Sequence, residues 1–268
     1  MVGVLGVSAS AILVRFSQAP SGVTAAYRLG WTVLLLLPVV LLRCRAELRR
    51  VTARDLVLCG ASGVLLALHF LTWFESLKRT SVASSTVLVS TEVIFTALGF
   101  ALFLHGKIPR LGVWAILLAF GGSALLALSG GGGAGELSGN LLALAAASAA
   151  AVYTLIGRIQ RGHLSTTVYT FLTYLACFLT LLLGTAAAGT PLTGYGGREW
   201  LIGLALAVLC TLLGHSLFSW CLKYLSPSYV SAAKLCEPVF SSLAAIPLFG
   251  EVPGPLQLAG GAAVLGAV

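Results

Sequence analysis

Residues 77–98 read LKRTSVASSTVLVSTEVIFTAL, and residues 222–243 read LKYLSPSYVSAAKLCEPVFSSL. Laid over one another, Leu77-Lys78 returns as Leu222-Lys223, Ser81 as Ser226, Glu92 as Glu237, Phe95 as Phe240 and Leu98 as Leu243. Gly121 and Gly266 keep the same spacing. The chain is thus written twice, and each copy places one acidic residue inside an apolar run.

The rest of the chain fits lipid and not water. Of its 268 residues, 58% are hydrophobic and 9% charged, whereas soluble domains carry about 25% charged residues. A spanning helix takes about 20 apolar residues. Spans at 2–16, 23–42, 56–77, 82–104, 111–129, 139–158, 166–188, 199–222, 229–249 and 256–268 then nearly exhaust the sequence, with no room for a soluble domain. Runs such as Leu34 to Leu37 and Leu141 to Ala147 lack the alternation of a membrane barrel. Five spans per copy is an odd number, so the second copy enters the bilayer the other way up, as in many secondary transporters. The expected fold is an all-α membrane protein with ten transmembrane helices, arranged as two inverted five-helix repeats around a central cavity. Residues 1–129 form the first repeat, 130–138 a Gly-rich linker and 139–268 the second. The first and last spans are short, which tilt, an interfacial position or a longer native chain would explain. The N-terminal run has no charged leader or cleavage site of a signal peptide and reads as the first span.

The net charge of +8 does not indicate nucleic acid, because the positives sit between apolar runs. With the N-terminus cytoplasmic, the inner loops hold Arg43, Arg45, Arg49, Arg50, Arg54, Lys107, Arg110, Arg158, Arg161 and Lys223. The outer side holds Lys78, Arg79 and Arg198, with Arg15 near an outer end. The positive-inside rule places both termini in the cytoplasm, in a plasma (inner) membrane. The Gly130 to Gly133 run lacks the GK[ST] ending of a phosphate loop. The six cysteines are scattered without a CxxC pair and read as packing residues; Cys236 stands out only because it precedes Glu237. No cofactor and no metal are expected.

The segment Leu235-Cys236-Glu237-Pro238-Val239-Phe240, followed by Leu248-Phe249-Gly250-Glu251, resembles the EP-x-F and LGE signature of the EamA family in the drug/metabolite transporter superfamily. Ser90-Thr91-Glu92-Val93-Ile94-Phe95 and Leu104-His105-Gly106-Lys107 stand at the matching place in the first copy. The resemblance covers essentially the whole chain, including the basic loop after span two and Arg28 early in that span. It implies a ten-helix bundle whose cavity opens alternately to each side and moves amino acids or other small metabolites, often outward. There are two departures. Val93 replaces a common Pro, which would leave span four straighter than span nine. Lys107 replaces the acid of LGE, which would alter a loop contact.

An ionisable residue near a helix centre in lipid costs about 2.5–3.5 kcal/mol, so each one calls for a reason. Glu92 sits near the midplane on a stripe with Ser85, Val89 and Thr96, where it can bind a proton or pair with Lys234 or Arg28. Glu237 is its repeat mate, and Lys234 three residues earlier is expected to pair with it locally. Arg28 can hold a substrate carboxylate or brace the fold. His69 and Trp73 share a face of span three, and His215 lies close to the repeat equivalent of Phe70. These are candidate cavity residues, with Tyr153 and Tyr174 beside them. The favoured function is a secondary transporter of small polar metabolites, a zwitterion such as an amino acid above all, coupled to protons through Glu92. An exporter of organic cations or drugs and a passive channel are the alternatives. An intramembrane enzyme is disfavoured, since no HExxH or similar spacing occurs. The expected partners are a small-molecule substrate and the bilayer, with a homodimer left open.

Overall fold

The computed structural model describes residues 2–106, 110–128 and 134–266. Among them there is no strand, and a helix lies in each predicted stretch. In chain order the helices are α1 Val2–Phe16, α2 Ser21–Arg43, α3 Ala53–Arg79, α4 Val82–Phe103, α5 Arg110–Leu128, α6 Ala134–Gln160 and α7 Thr166–Ala187. They are followed by α8 Gly197–Cys221, α9 at 227–249 and α10 Pro255–Gly266. Helix α6 begins inside the stretch expected to be linker. Six of the helices (α2, α3, α4, α6, α7 and α8) are long and apolar enough to cross a bilayer, while α1 is a shorter apolar helix. Lys107 and the Gly130 to Gly133 run lie outside the described residues, as does the side chain of Cys236.

The surface confirms the solvent. Leu42, Phe103, Leu111 and Trp114 are exposed, and contiguous apolar faces of this kind need lipid or another apolar cover. Inward, Leu66, Phe70, Phe74, Leu77, Tyr174, Leu181 and Leu206 belong to one buried cluster joining α3, α7 and α8. Backbones approach closely where small residues allow it. A Cβ on Gly63 of α3 would lie 2.5 Å from the Ala176 Cβ of α7, and one on Gly6 of α1 would lie 2.4 Å from the Leu209 carbonyl of α8.

Helix packing comes in mates. Helix α3 packs on α6 and α7, while α8 packs on α1 and α2. Helix α4 packs on α6, and α9 on α1. The pairs α2 with α7, α4 with α9 and α5 with α10 face each other directly. Exchanging the two sequence copies turns each of these contacts into another in the set.

Two helices are interrupted, and at matching places. In α4, helix runs Val82–Val89 and resumes at Glu92–Phe103. In α9, Pro227–Ala233 is followed by a tight turn, Lys234–Cys236, and then by Glu237–Phe249. With Val93 in place of the proline, α4 still pauses for two residues at Ser90–Thr91, yet it stays long enough as one helix to cross a bilayer. Hydroxyls add to the backbone bonds there, with Ser90 Oγ donating to the Thr86 carbonyl at 2.8 Å and Thr91 Oγ1 to the Leu88 carbonyl at 2.7 Å. The backbone tightens through Thr91 N–H to the Leu88 carbonyl and Ile94 N–H to the Thr91 carbonyl. Each break delivers a glutamate to the first turn of the following segment, where the helix dipole favours an anion.

Candidate functional site

A polar cavity lies where the two breaks meet. It is lined by Val7 and Ser10 of α1, Leu66, His69 and Trp73 of α3, and Val89, Ser90 and Glu92 of α4. The second sequence copy supplies Ala150 and Tyr153 of α6, His215 of α8, and Ser231, Lys234 and Glu237 of α9. Every contributing helix has its repeat mate among the contributors: α1 with α6, α3 with α8, α4 with α9. The free volume is about 30 Å³, room for about two water molecules. In this conformation the cavity is drawn tight.

Glu92 is 7% exposed and fully engaged. Lys234 Nζ donates to both of its oxygens, at 2.9 and 3.0 Å. Thr154 Oγ1 donates at 2.9 Å and Ser231 Oγ at 3.2 Å. This corrects the expected local pairing of Lys234 with Glu237. Lys234 opens the tight turn of α9, and its ammonium reaches across to α4, 5.4 Å from the Phe218 ring centroid. There Glu92 already collects two hydroxyl donors, so the pair that forms joins the two sequence copies. Glu237, 8% exposed, opens the next helical segment and faces the cavity. Among the described residues no hydrogen bond or ion pair reaches its carboxylate.

The aromatic wall is built from His69, Trp73, Tyr153 and His215. His69 and His215 stand edge to face at 6.3 Å between centroids, with Trp73 5.8 Å from His69 and Tyr153 6.3 Å from His215. His69 Nδ1 lies 3.0 Å from the Ala146 carbonyl. A carbonyl only accepts, so Nδ1 carries the hydrogen and Nε2 is left as the free position of the neutral ring. Tyr153 shares a hydrogen bond of 3.2 Å with Ser219. Among the described residues the buried Trp73 Nε1 has no partner, an unused donor in the cavity wall.

Arg28 and Tyr174, the remaining predicted site residues, pack behind the wall. Arg28 is fully buried. Its Nε donates to Thr211 Oγ1 at 2.7 Å and its Nη1 to Ser10 Oγ at 3.1 Å, and its guanidinium sits 4.2 Å from the Phe70 ring centroid. Among the described residues Nη2 has no partner. Ser10, which Arg28 bonds, itself lines the cavity. Tyr174 is held by Ser216 at 3.1 Å. Sequence reasoning missed Ser231 and Thr154, which complete the Glu92 shell. Ser231 lay within reach of it, three residues before Lys234 and so on the same helical face. Thr154 adjoins Tyr153 with no pattern of its own.

No group of three or more His, Cys, Asp or Glu side chains suited to a metal occurs among the described residues. The arrangement is one of charge matching: a neutralised pair, one free carboxylate, one buried guanidinium and an aromatic wall.

The chain is 24% identical over 203 residues to the pseudopaline exporter CntI of two Pseudomonas aeruginosa strains, covering 76% of this chain and 70% of the relative. A solved crystal structure of a protein shares the fold with a TM-score of 0.72 at 18% identity, covering 99% of this chain and 92% of the other. The model of the EamA-like transporter family matches residues 1–128 and again 137–268, and with nearly the whole chain accounted for, this protein belongs to that family.

Proposed function

We propose that the chain is a secondary transporter that moves a small polar metabolite across the plasma membrane by alternating access. We read its helices as ten spans in two inverted five-helix repeats, with both termini cytoplasmic. The paired helix contacts and the matched breaks in α4 and α9 support that reading. The observation that carries the function is the cavity itself: a buried polar space, lined by three helices of each sequence copy, that is too small as it stands for a metabolite. Exchanging which half opens would widen it from one side at a time.

A zwitterion, such as an amino acid, is the favoured substrate. Glu237 offers a carboxyl and Arg28, behind Ser10, a buried cation with a donor, neither of them bonded among the described residues. The related pseudopaline exporter favours the outward direction. Glu92 was the expected coupling group, but its bond to Lys234 gives it the part of a brace between the halves.

The test is solute counterflow in proteoliposomes, with a panel of amino acids, organic cations and purines at two pH values. Saturable exchange of an amino acid is expected. Flux without counterflow would identify a channel, and saturable exchange confined to organic cations would move the substrate class to the drug-like alternative. No exchange at all from folded protein would refute the carrier.

A further inference from the structure

We propose that Glu237 is the exchangeable cation site of the cavity, holding a proton in the empty carrier and the ammonium group of the substrate in the loaded one. The inference rests on the carrier reading and gives it a substrate chemistry and a coupling residue.

The two glutamates occupy equivalent positions, are equally buried and line the same cavity. They differ in what neutralises them. The ammonium of Lys234 and two hydroxyls satisfy Glu92. The Glu237 carboxylate has no donor among the described residues. A buried carboxylate without a donor is unfavourable as an anion, so it needs a mobile cation to neutralise it. The charges within electrostatic reach are Lys234, Glu92 and Arg28. Lys234 is committed to Glu92, and Arg28 is held by Ser10, Thr211 and the Phe70 face. The other titratable groups around the cavity are His69, Tyr153 and His215, with Cys210 of α8 nearby. None of them bonds to Glu237. Trp73 and Tyr153 line the same cavity, and aromatic rings attract an organic ammonium placed over their faces.

Loading then balances simply. The substrate arrives as R–NH₃⁺ in the open cavity. The O–H bond of protonated Glu237 breaks and its proton leaves to cavity water. The carboxylate pairs with the ammonium in its place. Only one cation occupies the site at a time, so substrate and proton move in opposite directions. The helix break at Lys234–Cys236 sets this residue at the start of Glu237–Phe249, in the cavity lining.

Infrared difference spectroscopy on the full chain in lipid tests this directly, because a protonated carboxyl has its own C=O stretch. Between acidic and alkaline pH the wild-type protein should show one such buried band. Glu237→Gln should remove it and Glu92→Gln should retain it. Methylammonium, as the bare probe of the cation, should remove the wild-type band and release a proton to the medium. A band that survives in Glu237→Gln overturns the assignment, and a band indifferent to saturating methylammonium overturns the shared site. If the glutamine variant fails to insert, Glu237→Asp should shift the band without abolishing it, and an unshifted band is equally fatal. The measurement needs no transport, so its failure stays distinct from a failure of counterflow.

Discussion

Glu92 and Glu237 hold matching positions in the sequence, open matching helical segments and are buried to the same degree, yet among the described residues one is bonded on both oxygens and the other on neither. The difference comes from residues that the repeat does not copy. Lys234 has Val89 at its matching place, and Ser231 has Thr86. Thr86 turns its hydroxyl to the Val82 carbonyl of its own helix, at 2.7 Å. Symmetry of the backbone therefore builds the cavity, and asymmetry of a few side chains divides its work between a brace and an open site.

The largest effect should come from breaking the brace. Lys234→Met leaves Glu92 buried with two hydroxyls and no cation, and removing one partner of a buried pair costs about 3–5 kcal/mol. Thermal unfolding in lipid should show a correspondingly large drop. An unchanged midpoint would mean that the two side chains do not pair in the folded protein. The next effect is the coupling itself. Glu92→Gln alone should also destabilise, but combined with Lys234→Met it should cost less than the two changes added, with a coupling of about 1–3 kcal/mol. Additive losses would show that the residues act separately and that the halves are joined elsewhere.

This division was only half legible in the sequence. Apolar runs of span length fix the helices, and the shared spacing exposes the repeat, because both depend on backbone geometry that many residues specify together. The partner of Lys234 does not. A lysine three residues before a glutamate suggests a local pair on a regular helix, whereas here the chain tightens at Lys234–Cys236 and α4 brings an acceptor already held by two hydroxyl donors. The break in α4 was hidden for a similar reason. It uses the Ser90 and Thr91 hydroxyls in place of the proline that marks α9. Arg28 was legible as a buried cation, but its seat behind Ser10 depends on α1 and α8 packing that no local pattern announces.

A smaller effect, of opposite sign, is expected at the open site. Glu237→Gln removes a carboxyl that no described residue satisfies, so stability should rise, by about 0.5–2 kcal/mol, as is common where function has kept an unfavourable group. A loss of stability matching that of Lys234→Met would place Glu237 in the framework and erase the contrast between the mates.

The smallest effect sharpens the same comparison at the ends of the bundle. Arg15 of α1 donates to the Leu77 carbonyl, and Arg158 of α6 donates at 2.5 Å to the Leu222 carbonyl, its repeat equivalent. These clamps sit at opposite ends of the protein, since the first closes on the C-terminal end of α3 and Asp55, at that helix's other end, meets His163 at 2.8 Å, just beyond α6. Only the Arg15 clamp carries an acid: Glu251 bonds Arg15 at 2.5 Å and accepts the Val82 N–H at 2.7 Å. Arg15 and Glu251 keep 29% and 19% of their side-chain surface, so solvent screens the pair and its worth is about 0.5–1 kcal/mol. Glu251→Gln keeps an acceptor for Val82 and should lower the unfolding midpoint only slightly, with a deficit that shrinks in high salt. Arg158→Gln should show no such salt dependence, because its partners are neutral carbonyls. A salt-insensitive loss at Glu251 would mean that the Val82 contact outweighs the ion pair there, and that the two ends close by the same neutral means.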